Sequence, residues 1–121
     1  MPFYKKREYF VESFFSAANQ SYKNIEIIVI YDDDNTEDLT FISEKISNDP
    51  RAKVINNHSN FGVARSRNIG INNSKGKYLA FLDCDDVWEK NKLELQYEFM
   101  NKNKFRISHT SYKIINSKNK I

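Results

Sequence analysis

A single cysteine, Cys84, rules out an internal disulfide, and with only two histidines, His58 and His109, no Cys/His set has the spacing of a zinc site. A reducing, cytoplasmic setting follows. No run approaches the ~20 apolar residues of a membrane span, and Met1 to Phe10 lacks the apolar stretch of a signal peptide. An excess of one charge is also missing: 19 basic residues against 16 acidic ones give a formal charge of +3. The lysines are scattered, with loose groups only at Lys5-Lys6-Arg7 and near the C-terminus. A nucleic-acid binder should carry a basic stripe with interleaved aromatics, and here the aromatics fall at core-like spacings, so no nucleic-acid partner is expected. The small surplus suits an anionic ligand or peripheral contact with the inner face of a membrane equally well.

What is present is an ordinary globular composition, 40% apolar and 29% charged, enriched in Phe and Tyr. A chain of 121 residues fits one domain, so residues 1–121 are treated as a single unit. Phe10, Phe14 and Ala18 recur at i, i+4, i+8, which predicts an amphipathic helix over Lys6 to Gln20. Ile25 to Ile30 is a nearly continuous β-branched run, as in a strand buried on both faces of a parallel sheet. After Asp32, Asp33, Asp34 and Asn35 comes a helical stretch with Leu39, Ile42 and Ile46, capped by Asn35 or Thr36 and ended by Asp49-Pro50. Lys53 to Asn56 reads as a brief strand and Val63 to Asn73 as a short helix that Asn60 can cap. Tyr78 to Leu82 reads as a further strand that stops at Asp83-Cys84-Asp85-Asp86. A helix starting near Trp88 and carrying Leu93, Tyr97 and Met100 follows, then a strand over Phe105 to Ile115. Alternating strands and helices define the α/β class, with a mainly parallel sheet covered on both sides and ligands beyond the carboxyl ends of its strands. Both acidic clusters fall at such ends.

Carboxylates crowded at Asp83, Asp85 and Asp86 repel one another unless a cation or hydrogen-bond donors offset them. A divalent ion is the simplest remedy, and all-oxygen ligands favour Mg²⁺ or Mn²⁺, held by one or two carboxylates plus substrate phosphates. Taken singly, each Asp serves at least as readily as a turn or helix cap. Arg65 and Arg67 on a polar helix read as solvated, His58 and His109 as structural, and Cys84 as packing. Gly62, Gly70 and Gly76 suit turns and close packing.

The string Phe81-Leu82-Asp83-Cys84-Asp85-Asp86-Val87-Trp88 closely resembles the F-L-D-x-D-D-x-W segment of the inverting nucleotide-sugar glycosyltransferase family two. Three more segments agree in order and spacing. Asn19-Gln20-Ser21-Tyr22 through Glu26-Ile27-Ile28-Val29 is similar to N-Q-T-Y-x-N-x-E-I-I-V, Asn60 to Gly70 to N-x-G-x-x-x-A-R-N-x-G, and Gly76-Lys77-Tyr78 to G-x-Y. The resemblance implies a Rossmann-like GT-A nucleotide-diphospho-sugar transferase fold. It also implies a nucleoside-diphosphate sugar donor, a UDP-sugar first, and a glycan or lipid-linked acceptor in cell-surface polysaccharide or lipopolysaccharide synthesis. By the same resemblance Asp85 binds Mn²⁺ or Mg²⁺ of a D-x-D motif, Asp83 assists the metal and contacts the ribose side, and Arg67 lies near the donor. Asp32 and Asp33 match the pair that reads nucleobase and ribose, with Asp33 favoured for the base.

The chain departs from the family pattern in several places. Tyr31-Asp32-Asp33-Asp34-Asn35 replaces D-D-G-S, and Ser66 stands where Ala is common, a small-for-small change expected to matter little. Met1-Pro2-Phe3-Tyr4 is similar to the end of the family's first strand, so the fold is expected to be truncated at both ends. A start set too late, a shortened piece and a degenerate copy would each account for that. The acceptor half and its general base are expected to be missing, since no residue after Asn116 can fill that role. An inactive donor-binding or interaction fragment is therefore the alternative. A receiver-type signalling module would share the Asp pattern, but the residues after Asp86 do not supply the two further βα units it needs.

Overall fold

The computed structural model describes residues 1–116 and contains a three-stranded parallel sheet in the order β1-β2-β3. The chain runs β1 (Pro2–Phe3), α1 (Arg7–Ala18), β2 (Ile27–Tyr31), α2 (Glu37–Ile46), β3 (Ala52–Asn56), α3 (Val63–Asn72), α4 (Lys92–Asn103). Strand β2 is central: Pro2 and Phe3 pair with Ile30 and Tyr31, while Ile27 through Tyr31 pair with Ala52 through Asn56. The continuous apolar run of β2 is explained by cover on both sides. Ile27, Val29 and Tyr31 join Phe10, Phe14, Ala17, Ile42 and Ile46 in one core, which places α1 and α2 on that side. Ile30 faces the other way, towards Gly70 of α3.

Aromatic residues organise the core. The Phe3 ring stacks on Tyr31 at 5.5 Å and meets Phe10 edge-on at 5.6 Å, while Phe10 stacks on Phe14 at 5.9 Å. The Tyr31 hydroxyl leaves this cluster to donate to the Asn35 carbonyl at 2.8 Å and to accept from the Asp38 amide at 3.3 Å. The turn from β2 into α2 is thereby tied to the core. Asn35 Oδ1 accepts from the Glu37 amide at 2.8 Å, so of the two expected caps Asn35 makes the contact. Arg51, held by Asp49, donates to the Ala18 carbonyl at 2.9 Å, a cation at the negative end of α1.

Three expectations are corrected. Tyr78 to Leu82 forms no strand, and Leu79 and Phe81 are exposed. Among the described residues the neighbouring edge, β1, is only two residues long, so the apolar run has no ladder to join. The last helix starts at Lys92, not near Trp88, because the Trp88 amide and the Glu89 carbonyl are bound instead by Ser16 and Gln20. Phe105 to Ile115 is not a strand either: it meets no sheet edge, and Ile107, Tyr112 and Ile114 stand in solvent. The expectation that no general base follows Asn116 concerns residues outside those described.

Gly70 lies inside α3, where a Cβ would meet Ile30 Cγ1 at 3.7 Å, an ordinary packing distance. The Gly70→Ala variant should accordingly gain about 0.5–1 kcal/mol of stability in urea unfolding, from reduced unfolded-state entropy. A loss would show that α3 packs closer to β2 than described.

Candidate functional site

Beyond the carboxyl ends of the strands lies a cleft of about 390 Å³ lined by Phe3, Lys6, Asp32, Gly62, Asp83 and Asp85, among others. The fold delivers these groups by different means. Asp32 follows the last residue of β2 and is buried, 3% exposed. Its Oδ1 accepts from Asn57 Nδ2 and the Phe61 amide, both at 2.8 Å, and its Oδ2 from the Gly62 amide at 2.9 Å. The carboxylate therefore sits at the N-terminus of α3, where the helix dipole and free amides stabilise an anion. Gly62 takes φ +84, a left-handed conformation that admits this approach without a Cβ penalty. Asn60, the expected cap, accepts from the same Gly62 amide at 3.1 Å.

Asp33 is also buried, 5% exposed, yet its Oδ1 accepts only from the Asn35 amide at 3.1 Å. It is not among the residues lining the cleft. Ser66, expected to matter little, proves to be structural: fully buried, its Oγ accepts from Asn57 Nδ2 at 3.2 Å. The hydroxyl completes the Asn57 amide that also holds Asp32, a bond alanine could not make.

Asp83 and Asp85 are half-exposed, 43% and 40% by side chain, and each carries one cationic partner. Arg67 Nη2 donates to both Asp83 oxygens, at 2.7 and 3.0 Å, while its buried Nε has no partner. Lys6 Nζ lies 3.0 Å from Asp85 Oδ2, and the hydrogen bond and charge of Asp85 hold this ammonium above its ordinary pKa. Between the two carboxylates, Cys84 turns into the core, where burial pushes its thiol up to about 11. Such a thiol is a packing group and no nucleophile at neutral pH. Asp86 is raised above the usual carboxylate range, by desolvation first and then by Asp85 and Asp83.

Sequence reasoning missed the residues that position this acidic loop. Gln20 is fully buried; its Nε2 donates to the carbonyls of Glu89 at 2.8 Å and Ser16 at 3.0 Å, and its Oε1 accepts from the Leu93 amide at 2.9 Å. Ser13 Oγ donates to the Asp83 carbonyl at 3.1 Å, and Ser16 Oγ accepts from the Trp88 amide at 3.0 Å. The signal was available: Ser13, Ser16 and Gln20 recur at i, i+3, i+7 beside the apolar stripe of α1.

Among the described residues no group of three or more His, Cys, Asp or Glu side chains could hold a metal ion by itself. Two oxygen-bearing carboxylates on one cleft do fit Mg²⁺ or Mn²⁺, which take one or two carboxylates and complete their shell with water and phosphate. No helix among the described residues is long and apolar enough to cross a membrane.

Residues 1–121 match the family model described as glycosyl transferase family 2. An uncharacterized glycosyltransferase of Rickettsia felis is 42% identical over 99% of this chain and 20% of its own length. The Escherichia coli enzyme WfgD, UDP-Glc:alpha-D-GlcNAc-diphosphoundecaprenol beta-1,3-glucosyltransferase, is 37% identical over 97% of this chain and 46% of its own. The chain thus spans less than half the length of these relatives. The crystal structure of S. aureus TarS 1-349 superposes with a TM-score of 0.74 at 28% identity, covering 84% of this chain and 31% of that one, which gives the GT-A fold.

Removing Gln20 should be costly, because Gln20→Ala strands the Glu89 carbonyl and the Leu93 amide: about 2–4 kcal/mol in urea unfolding. Asp32→Ala should likewise lose about 2–4 kcal/mol, against about 1 for Asp33→Ala, which gives up a single backbone bond. Equal losses at Asp32 and Asp33 would contradict the hydrogen-bond assignment.

Proposed function

Because this chain belongs to glycosyl transferase family 2, we propose that it forms the donor-binding part of a transferase that takes a sugar from a nucleoside diphosphate. The observation that carries this reading is the joint cleft: Asp32, Asp83 and Asp85 line one cavity, with Arg67 bound to Asp83. In this reading Asp85, with Asp83, holds Mn²⁺ or Mg²⁺. When bound, the ion supplies positive charge against the diphosphate, the leaving group of sugar transfer. Arg67 serves twice, fixing Asp83 and offering a guanidinium that can reach a phosphate oxygen.

The nucleoside end falls to the residues after β2. Asp32 already accepts three hydrogen bonds and keeps the 57–62 loop in place, whereas Asp33 retains free acceptor capacity for a base or ribose. UDP-sugar is the first donor to test, because the similar WfgD is named for UDP-Glc. The same name supports a lipid-linked or glycan acceptor, and hence a role in cell-surface polysaccharide assembly at the cytoplasmic membrane face. The alternative, an inactive donor-binding fragment, keeps the same cleft without turnover.

Titration calorimetry with uridine diphosphate and Mn²⁺ tests the assignment. Asp85→Asn should weaken Mn²⁺-dependent binding by about one to two orders of magnitude, the worth of one charge-assisted contact, and Asp86→Asn far less. Binding that ignores chelator, or equal affinities for the two variants, would overturn it.

A further inference from the structure

Lys6 occupies a costly position. It is the N-cap residue of α1, with φ −125 and ψ 36, and makes no capping bond; Lys5 and Arg7 flank it, and only Glu8 supplies negative charge in the first turn. A helix N-terminus carries partial positive charge, so a cation here is disfavoured and Ser, Thr, Asp or Asn would be preferred. The compensation for Lys6 is Asp85, 3.0 Å away across the cleft. Lys6 also has a second seat on its own helix, the Tyr9 ring, whose centroid lies 5.7 Å from Nζ. Lys5 differs: its Nζ lies 5.0 Å from the Tyr4 ring, and it makes no ion pair with Asp85.

We infer that Lys6 is a displaceable counter-ion for Asp85, pairing with the carboxylate until a divalent cation takes its place. This rests on the donor-site reading above, in which Asp85 is a metal ligand. Before any ion is present, each exposed carboxylate of the motif is matched by one monovalent cation, Asp83 by Arg67 and Asp85 by Lys6. The two pairs are not equivalent. Arg67 contacts both oxygens of Asp83, while Lys6 touches one oxygen of Asp85 through a flexible stem, so the Asp85 pair is the one that opens. The pairs offset the charges of Asp83 and Asp85, and the ion competes with a tethered ammonium for its site.

The test is a titration of Mn²⁺ alone, followed by the paramagnetic resonance signal of the free ion, on the wild type, Lys6→Met, Lys5→Met and Asp85→Asn. Lys6→Met should bind Mn²⁺ about two- to fivefold more tightly than the wild type, the range expected for release of one exposed ion pair. Lys5→Met, which removes the same charge one residue away, should gain clearly less, and Asp85→Asn should bind more weakly than all three. Equal affinity in Lys6→Met and wild type, or an equal gain in Lys5→Met, overturns the counter-ion role while leaving Asp85 as a ligand. Equal Mn²⁺ affinity in Asp85→Asn and wild type, or no binding by any of the four proteins, overturns the metal-site reading and the inference together.

Discussion

The acidic loop stands or falls with three polar side chains on and just beyond α1. Between Tyr78 and Asn91 the backbone has no strand ladder and no helix, so its amides and carbonyls must find other partners or stay in water. Ser13, Ser16 and Gln20 supply them, binding the Asp83 carbonyl, the Trp88 amide, the Glu89 carbonyl and the Leu93 amide. Beside them on the same helix Phe10, Phe14, Ala17 and Ala18 are buried. One helix thus transmits the rigidity of the core to a loop that the sheet cannot reach. The carboxylates at 83 and 85 inherit their position from that arrangement.

The two acidic clusters consequently have different characters despite similar spelling. Asp32 is inside the protein, saturated by donors from the 57–62 loop, and acts as an anchor for α3. Asp83 and Asp85 stay half in solvent and are matched only by side-chain cations. A buried, fully bonded carboxylate resists exchange of partners, while an exposed ion pair exchanges readily. The second cluster is therefore the one whose partners can exchange, while Asp33, buried and outside the cleft lining, has a single backbone donor.

Most of the secondary structure was legible from periodicity alone. Helix α1 and strands β2 and β3 begin and end within two residues of where the apolar spacing put them, because their patterns report burial that short-range geometry produces. Tyr78 to Leu82 misled for a physical reason: β-branched or aromatic runs become strands only where a neighbour offers unpaired backbone, and sequence does not say how long that neighbour is. The same holds for Phe105 to Ile115. The candidate site was suggested by the clustering of its carboxylates, whereas Arg67, which reads as solvated when taken alone, was singled out only through the family resemblance. Gln20 and Ser66 were overlooked because their roles are bonds to backbone or to another amide, made by residue types common on any surface.

The unladdered ribbons have a material consequence. Ile107, Tyr112 and Ile114 are 80–86% exposed, and Leu79 and Phe81 also meet solvent, so apolar side chains outside any helix or strand are left on the surface. A formal charge of +3 gives little mutual repulsion between molecules. Extended apolar segments with unpaired amides and carbonyls are the templates on which separate chains form intermolecular sheets. Such exposed apolar side chains favour adhesion between molecules as their concentration rises.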